Sequence, residues 1–346
     1  MRLPIIPDYD LQFAKEAQDR QNTLTKPAGS LGRLEELSIR LAGIRAVSRP
    51  SFPRKAVIVM AGDHGVTEEG ISVYPSDVTK QMVFNFLRGS AAINVLARQA
   101  GARVIVVDVG VAGEFGPTAG LIRRKIADGT RNMSKGPAMS RQQAEESISV
   151  GVDVVEAEIA KGLDLLAVGE MGIGNTTPSS AITSIYTSLP VRLVTGRGTG
   201  LDEAGFAHKV EVIERSIAVN KPDPADPIDV LSKVGGFEIG GMAGAILCAA
   251  SHRLPVVLDG FISGAAGLIA VELEPRVKPF LIASHLSVEA GHRAILERLG
   301  LRALLELDLR LGEGTGAVLA FNLIDASVKT LNEMATFSEA GVSGKE

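Results

Sequence analysis

DLLAVGEMGIGNTTP, residues 164–178, decides the fold. Its first half is a short apolar run without polar alternation, as expected of a strand covered on both faces. Its second half is a glycine-rich turn that opens a helix: Gly172 and Gly174 permit a tight turn, Thr177 can cap, and Pro178 fits the first helical position. A strand running through a short turn into a helix is the repeating unit of a parallel α/β sheet. Glu170 stands at the junction, where an acid leaving a buried strand needs a partner or a task.

The same pattern recurs along the chain. KAVIVMA (55–61), RVIVVDV (103–109), PVVLDG (255–260) and KPFLIAS (278–284) read as further buried strands. Between them, residues 76–100 read as one long helical segment, and SRQQAEESISVGVDVVEAEIAKG (140–162) carries apolar residues at helical spacing. The alternation predicts an α/β fold, a doubly wound parallel sheet with ligands at the carboxyl ends of its strands. Residues 31–46 and 317–334 are amphipathic, have no clear strand beside them, and are expected to pack together as a helical unit. NKPDPADPIDV (220–230) is a proline-punctuated connection, and the polar tail FSEAGVSGKE is expected to fray.

Composition narrows the function. A chain of 346 residues can bury a large core, and a formal charge of −4 without a basic block gives no electrostatic footprint for nucleic acid. One cysteine, Cys248, lies in an apolar run, which excludes an internal disulfide framework and a multi-cysteine zinc site and leaves a buried structural thiol. The start MRLPIIPDYD lacks an apolar stretch fit for a signal peptide. The longest apolar neighbourhood, Ala243 to Ala270, is broken by His252, Arg253, Pro255 and Asp259 and cannot span a bilayer, so a soluble, cytoplasmic protein is expected. With 38 glycines and no tryptophan, close backbone approaches are expected, with Tyr, Phe, Met and Leu left to hold any aromatic ligand.

Two acids stand out. Glu313 in LRLGEGTGA (309–317) is isolated between Gly312 and Gly314, so other molecules can approach it closely; Glu170 is its counterpart. The turn at Gly172, Gly174, Asn175 and Thr176 outlines a phosphate cradle, since a helix start carries partial positive charge, or is only a capped strand-to-helix turn. TGRGTG (195–200) reads either as a flexible surface loop or, with Lys209, as the completion of that cradle. Asp63 and His64 end another strand, but five histidines without a metal motif make metal improbable and leave Asp63 as a helix cap or pocket wall. Tyr74, Pro75, Ser76, Gln81 and Met82 make a wall for a flat ring, or only a capped helix start with Met82 as core filler. Asp259 in VVLDGFISG lacks the adjacent acid of a diphosphate-magnesium loop, which favours a nucleotide monophosphate as donor. In ASHLSVEAGH, Ser284, Ser287 and Glu289 are candidate polar contacts, while His285 and His292 read as satisfied histidines rather than catalysts.

As a set, KPAGSLGRLE, AGDHGV, GEMGIGNTTP, LSKVGGFEIGGM, LDGFISG, SHLSVEAG and RLGEGTGA closely resemble, in order and over nearly the whole chain, the nicotinate-nucleotide:dimethylbenzimidazole phosphoribosyltransferase family. The resemblance implies a Rossmann-like sheet at residues 51–300 and a small helical domain built from residues 1–50 and 301–346, the latter carrying the glutamate loop. It implies transfer of the phosphoribosyl group of nicotinate mononucleotide to 5,6-dimethylbenzimidazole with inversion at C1. The products would be α-ribazole 5'-phosphate and nicotinate, for the cobalamin nucleotide loop. Glu313 matches the general base and Glu170 the second acid. Gly172, Gly174, Asn175, Thr176, Lys209 and Ser287 match the nucleotide and phosphate side; Tyr74, Ser76, Gln81, Met82 and Leu311 match the benzimidazole pocket. No cofactor or metal, no nucleic acid or membrane partner, and a homodimer are implied. A nucleotide N-glycohydrolase and a non-catalytic nucleotide sensor are the competing readings.

Overall fold

A computed structural model describes residues 3–198 and 200–343. Among the described residues six strands form one sheet: β1 (Lys55–Gly62), β2 (Ala102–Gly110), β3 (Leu121–Arg123), β4 (Leu165–Met171), β5 (Val256–Leu258) and β6 (Leu281–Ala283). Every neighbouring pair is parallel, in the order β3-β2-β1-β4-β5-β6. All eight residues of β1 are buried, because both faces are covered. Ala56, Ile58 and Met60 join one core cluster, while Val57, Val59 and Ala61 join the other. Helices Arg141–Ile159, Phe237–Ser251 and Phe261–Leu273 cover the first face; helices Arg33–Arg45, Asp77–Arg88, Ala92–Gln99 and Thr315–Glu333 cover the second. The doubly wound reading is borne out. Strand order reverses between β1 and β4, where the crossovers diverge and leave a crevice at the carboxyl ends.

Several expected boundaries move. The segment 76–100 is two helices, because the first stops at Gly89 (φ 76°), whose N–H bonds back to Phe86. KPFLIAS contributes only Leu281–Ala283; the residues before it form the 3₁₀ turn Pro275–Phe280, in which Pro279 has no N–H for a ladder. PVVLDG likewise contributes three residues between Pro255 and the loop at Asp259. The edge strand β3 went unread, since three half-exposed residues carry no period.

The chain ends meet. Arg20 donates to the carbonyls of Leu331 (2.7 Å) and Met334 (3.0 Å), and Ala17, Ala42 and Leu331 share a small core. Helix Thr315–Glu333 also lies on the sheet, where Ala317, Val318 and Phe321 pack with Leu165, Ala167 and Val257. Part of the tail does not fray: Phe337–Ala340 forms a helical turn capped by Thr336, whereas residues 344–346, like Met1 and Arg2, lie outside the described residues. Cys248 is buried and free. Among the described residues, no helix is long and apolar enough to cross a membrane.

Candidate active site

At the switch point a cavity of about 490 Å³ opens over the end of β4. The acids Glu170, Asp259 and Glu313, the apolar side chains of Ile71, Tyr74, Val78, Met82 and Leu311, and the polar group Thr176, Gly198, Lys209, Ser287, Glu289 and Arg310 line it.

Glu170 leaves β4 opposite Met60 of β1 and is almost fully buried. Burial first, then neighbouring Asp259 and Glu238, push its carboxyl from 4.5 up to about 8, against a hydrogen bond donated by the Asn175 amide. An acid raised in this way ionises first in the unfolded chain, so the folded state loses stability as pH climbs from about 4.5 to about 8. Glu170→Gln keeps the Asn175 contact and removes that charge. The ligand-free variant is expected to melt a few degrees above the parent at about pH 8.5 and level with it at about pH 4, as scanning calorimetry would record. Melting below the parent at both pH values would sink this reading.

The turn after β4 needs glycine: Gly174 sits at φ 91°. The helix that follows, Thr176–Thr187, starts earlier than expected, so Pro178 is its third residue, still within the tolerant first turn. Thr177 does not cap; Asn175 occupies the cap position, its amide is engaged by Glu170, and the Thr177 hydroxyl is buried without a partner. Lys209 arrives from helix Glu203–Asn220 with 1% exposure and donates to the Thr176 hydroxyl at 2.7 Å. Burial pulls its ammonium down to about 8, against the pull of Glu289. The loop at residues 195–200 folds over this pair, since a Cβ on Gly198 would lie 3.2 Å from the lysine Nζ; Thr199 lies outside the described residues.

Glu313 stands in a turn whose three residues, Gly312, Glu313 and Gly314, all have positive φ (87°, 62° and 94°). One carboxylate oxygen accepts the N–H of Ile93 (3.1 Å) at the start of helix Ala92–Gln99. Burial raises the acid above its ordinary range, and that bond opposes the shift. The turn runs directly over Glu170, whose carboxylate leaves no room for a Cβ on Gly312.

Asp63 lies elsewhere than expected. Asp63 neither caps a helix nor lines the cavity; it accepts the Ala112 N–H at 2.8 Å. His64 pairs with Glu238 (2.7 Å) in the interior, beneath the turn at Gly172. Ser76 bonds to Thr67 (3.2 Å) and Gln81 is exposed, so neither lines the cavity, whereas Tyr74, Met82 and Leu311 do. Burial pulls His285 down to about 4 and His292 to about 3, leaving both neutral; the His292 ring accepts the Ser287 N–H at 2.9 Å. Ser284 does not line the cavity and donates to the Asp259 carbonyl (2.8 Å). Sequence reasoning missed Arg310 and gave Asp259 no place in the site. The strand-end rule that singled out Glu170 also applies to Asp259, which follows β5.

A switch-point cleft lined by three acids and by a buried lysine that bonds to the first residue of a helix defines a nucleotide-handling α/β enzyme. A phosphoribosyltransferase family profile matches residues 6–342. The chain is 59% identical to the nicotinate-nucleotide–dimethylbenzimidazole phosphoribosyltransferase of Desulforudis audaxviator over 338 residues, 98% of this chain and 96% of that protein. It is 59% identical to the enzyme of that name from Chloroflexus aggregans over 341 residues, 99% and 97% of the two chains. The crystal structure of CobT from Thermus thermophilus superposes with a TM-score of 0.93 at 47% identity, covering 96% of this chain and all of that one. The chain belongs to the nicotinate-nucleotide–dimethylbenzimidazole phosphoribosyltransferase family, as its motif set implied.

Proposed function

We propose that the protein transfers the 5-phosphoribosyl group of nicotinate mononucleotide to 5,6-dimethylbenzimidazole with inversion at C1, yielding α-ribazole 5'-phosphate and nicotinate for the cobalamin nucleotide loop. The observation that carries this reading is the placement of Glu313: a buried carboxylate that lines the same cavity as the apolar side chains of Tyr74, Met82 and Leu311 and as Lys209. The pyridinium of the donor is an activated leaving group. One nitrogen of the base attacks C1 as the C1–pyridinium bond breaks, and the bonding pair leaves with nicotinate. The other nitrogen loses its proton to Glu313, which prevents a cationic product. Lys209, Thr176, Ser287 and the turn from Gly172 to Asn175 hold the nucleotide phosphate; Tyr74, Met82 and Leu311 hold the base. The incoming pyridinium favours the ionised form of Glu170, which then stabilises positive charge developing on the sugar. The enzyme works in the cytoplasm as a homodimer.

Incubating the protein with both substrates and separating the products tests the reading: α-ribotide and nicotinate are expected in equal amounts. Ribose phosphate instead of α-ribotide would mean that water replaces the base, and no nicotinate at all would leave only nucleotide binding. Lys209→Ala is expected to weaken nicotinate mononucleotide binding at least about tenfold while leaving dimethylbenzimidazole affinity within about twofold, by calorimetric titration. Equal weakening for the dephosphorylated nucleoside would remove Lys209 from the phosphate site.

A further inference from the structure

Asp259 lines the cavity, yet its carboxylate is turned onto backbone. One oxygen accepts the N–H groups of Gly316 (2.7 Å) and Ala317 (3.1 Å), and the other accepts that of Gly314 (3.1 Å). These donors are the start of helix Thr315–Glu333 and its cap residue, groups with no partner inside their own helix. They also end and follow the turn whose residues 312–314 all have positive φ, with Glu313, a residue carrying a Cβ, at 62°. That conformation is costly for glutamate and persists only where its surroundings over-determine it. Asp259 itself is fixed: it follows β5, and its carbonyl accepts the Ser284 hydroxyl from beyond β6 at 2.8 Å.

We infer that Asp259 is a positioning residue for Glu313, clamping the helix start so that the strained turn holds the proton-accepting carboxylate over the cavity. This rests on the reading of Glu313 as the base. Three backbone donors occupy the two oxygens, so the side chain acts through the turn rather than on substrate. Asp259→Asn keeps the shape but places an NH₂ group against backbone N–H donors, and the turn loses part of its clamp.

The test is a double-mutant cycle with nicotinate mononucleotide and dimethylbenzimidazole, using folded full-length protein. Asp259→Asn alone is expected to lower kcat about ten- to fiftyfold with the nucleotide KM within about threefold. Added to Glu313→Gln, it is expected to cost less than about threefold more, because there is no longer a base to misplace. Asp259→Ser gives the same comparison if the amide variant does not fold. An unchanged kcat in Asp259→Asn, or the same factor lost in both backgrounds, would overturn the inference. Full turnover in Glu313→Gln has a different signature and would overturn the base assignment on which it rests.

Discussion

Replacing Glu313 with glutamine is expected to lower turnover by about 10²- to 10⁴-fold while leaving both substrates bound. Glutamine keeps the length of the side chain, and its amide oxygen can still accept the Ile93 N–H that now holds the carboxylate at 3.1 Å. It cannot take a proton. The attacking benzimidazole would then have to form its bond to C1 while still carrying its N–H, and the product would be cationic. Rapid quench under single-turnover conditions isolates this step from product release. The pH dependence gives a second signature. Burial raises Glu313 above its ordinary value, so the parent enzyme is expected to lose kcat as pH falls through that raised value, because the protonated acid accepts nothing. The glutamine variant is expected to lack that limb. Turnover near the parent level, or a variant that keeps the acid limb, would take Glu313 out of the chemistry.

What the sequence disclosed and what it withheld follow from where the information lies. KAVIVMA and DLLAVGE are legible as strands because a sheet covered on both faces demands apolar side chains at successive positions, a local demand. Edge strand β3 meets no such demand along its half-exposed length and leaves no trace. The same distinction holds in the site. Glu170 and Glu313 announce themselves through glycine neighbours in the chain. Lys209 was legible only as one of two readings of the loop before it, because its arrival beside Thr176, like that of Asp259 beneath the turn at residues 312–314, depends on elements far apart in sequence. Ser76 and Gln81 share a helix start with Met82, yet only Met82 meets the cavity, because which side of that helix faces inward is set by tertiary packing. Asp63 shows the converse: an acid at a strand end, spent on the Ala112 N–H rather than on a ligand.

Gly169 is expected to be as important to catalysis as a residue can be without touching substrate. It lies in β4 opposite Val59 of β1, one residue before Glu170. A Cβ there would overlap the carbonyl oxygen of Glu313 and come within 2.6 Å of its carbonyl carbon and 2.7 Å of the Gly314 nitrogen. These are backbone atoms, so no side chain can swing aside; either the strand or the turn must move. β4 is laddered to β1 along its whole length, whereas the turn is held mainly by the three bonds to Asp259 and one to Ile93. The turn therefore gives way. A displacement on the order of 1 Å in a catalytic group is enough for about a hundredfold loss. Gly169→Ala is expected to lower kcat by about that factor and the melting temperature by a few degrees. Nucleotide affinity should barely change, because Lys209 is bonded to Thr176 and not to the displaced turn. Steady-state kinetics with a thermal melt distinguishes the alternatives: a variant that keeps its kcat would mean that the turn is not held in register by this contact. The absence of a side chain at Gly169 would then be a matter of strand packing alone.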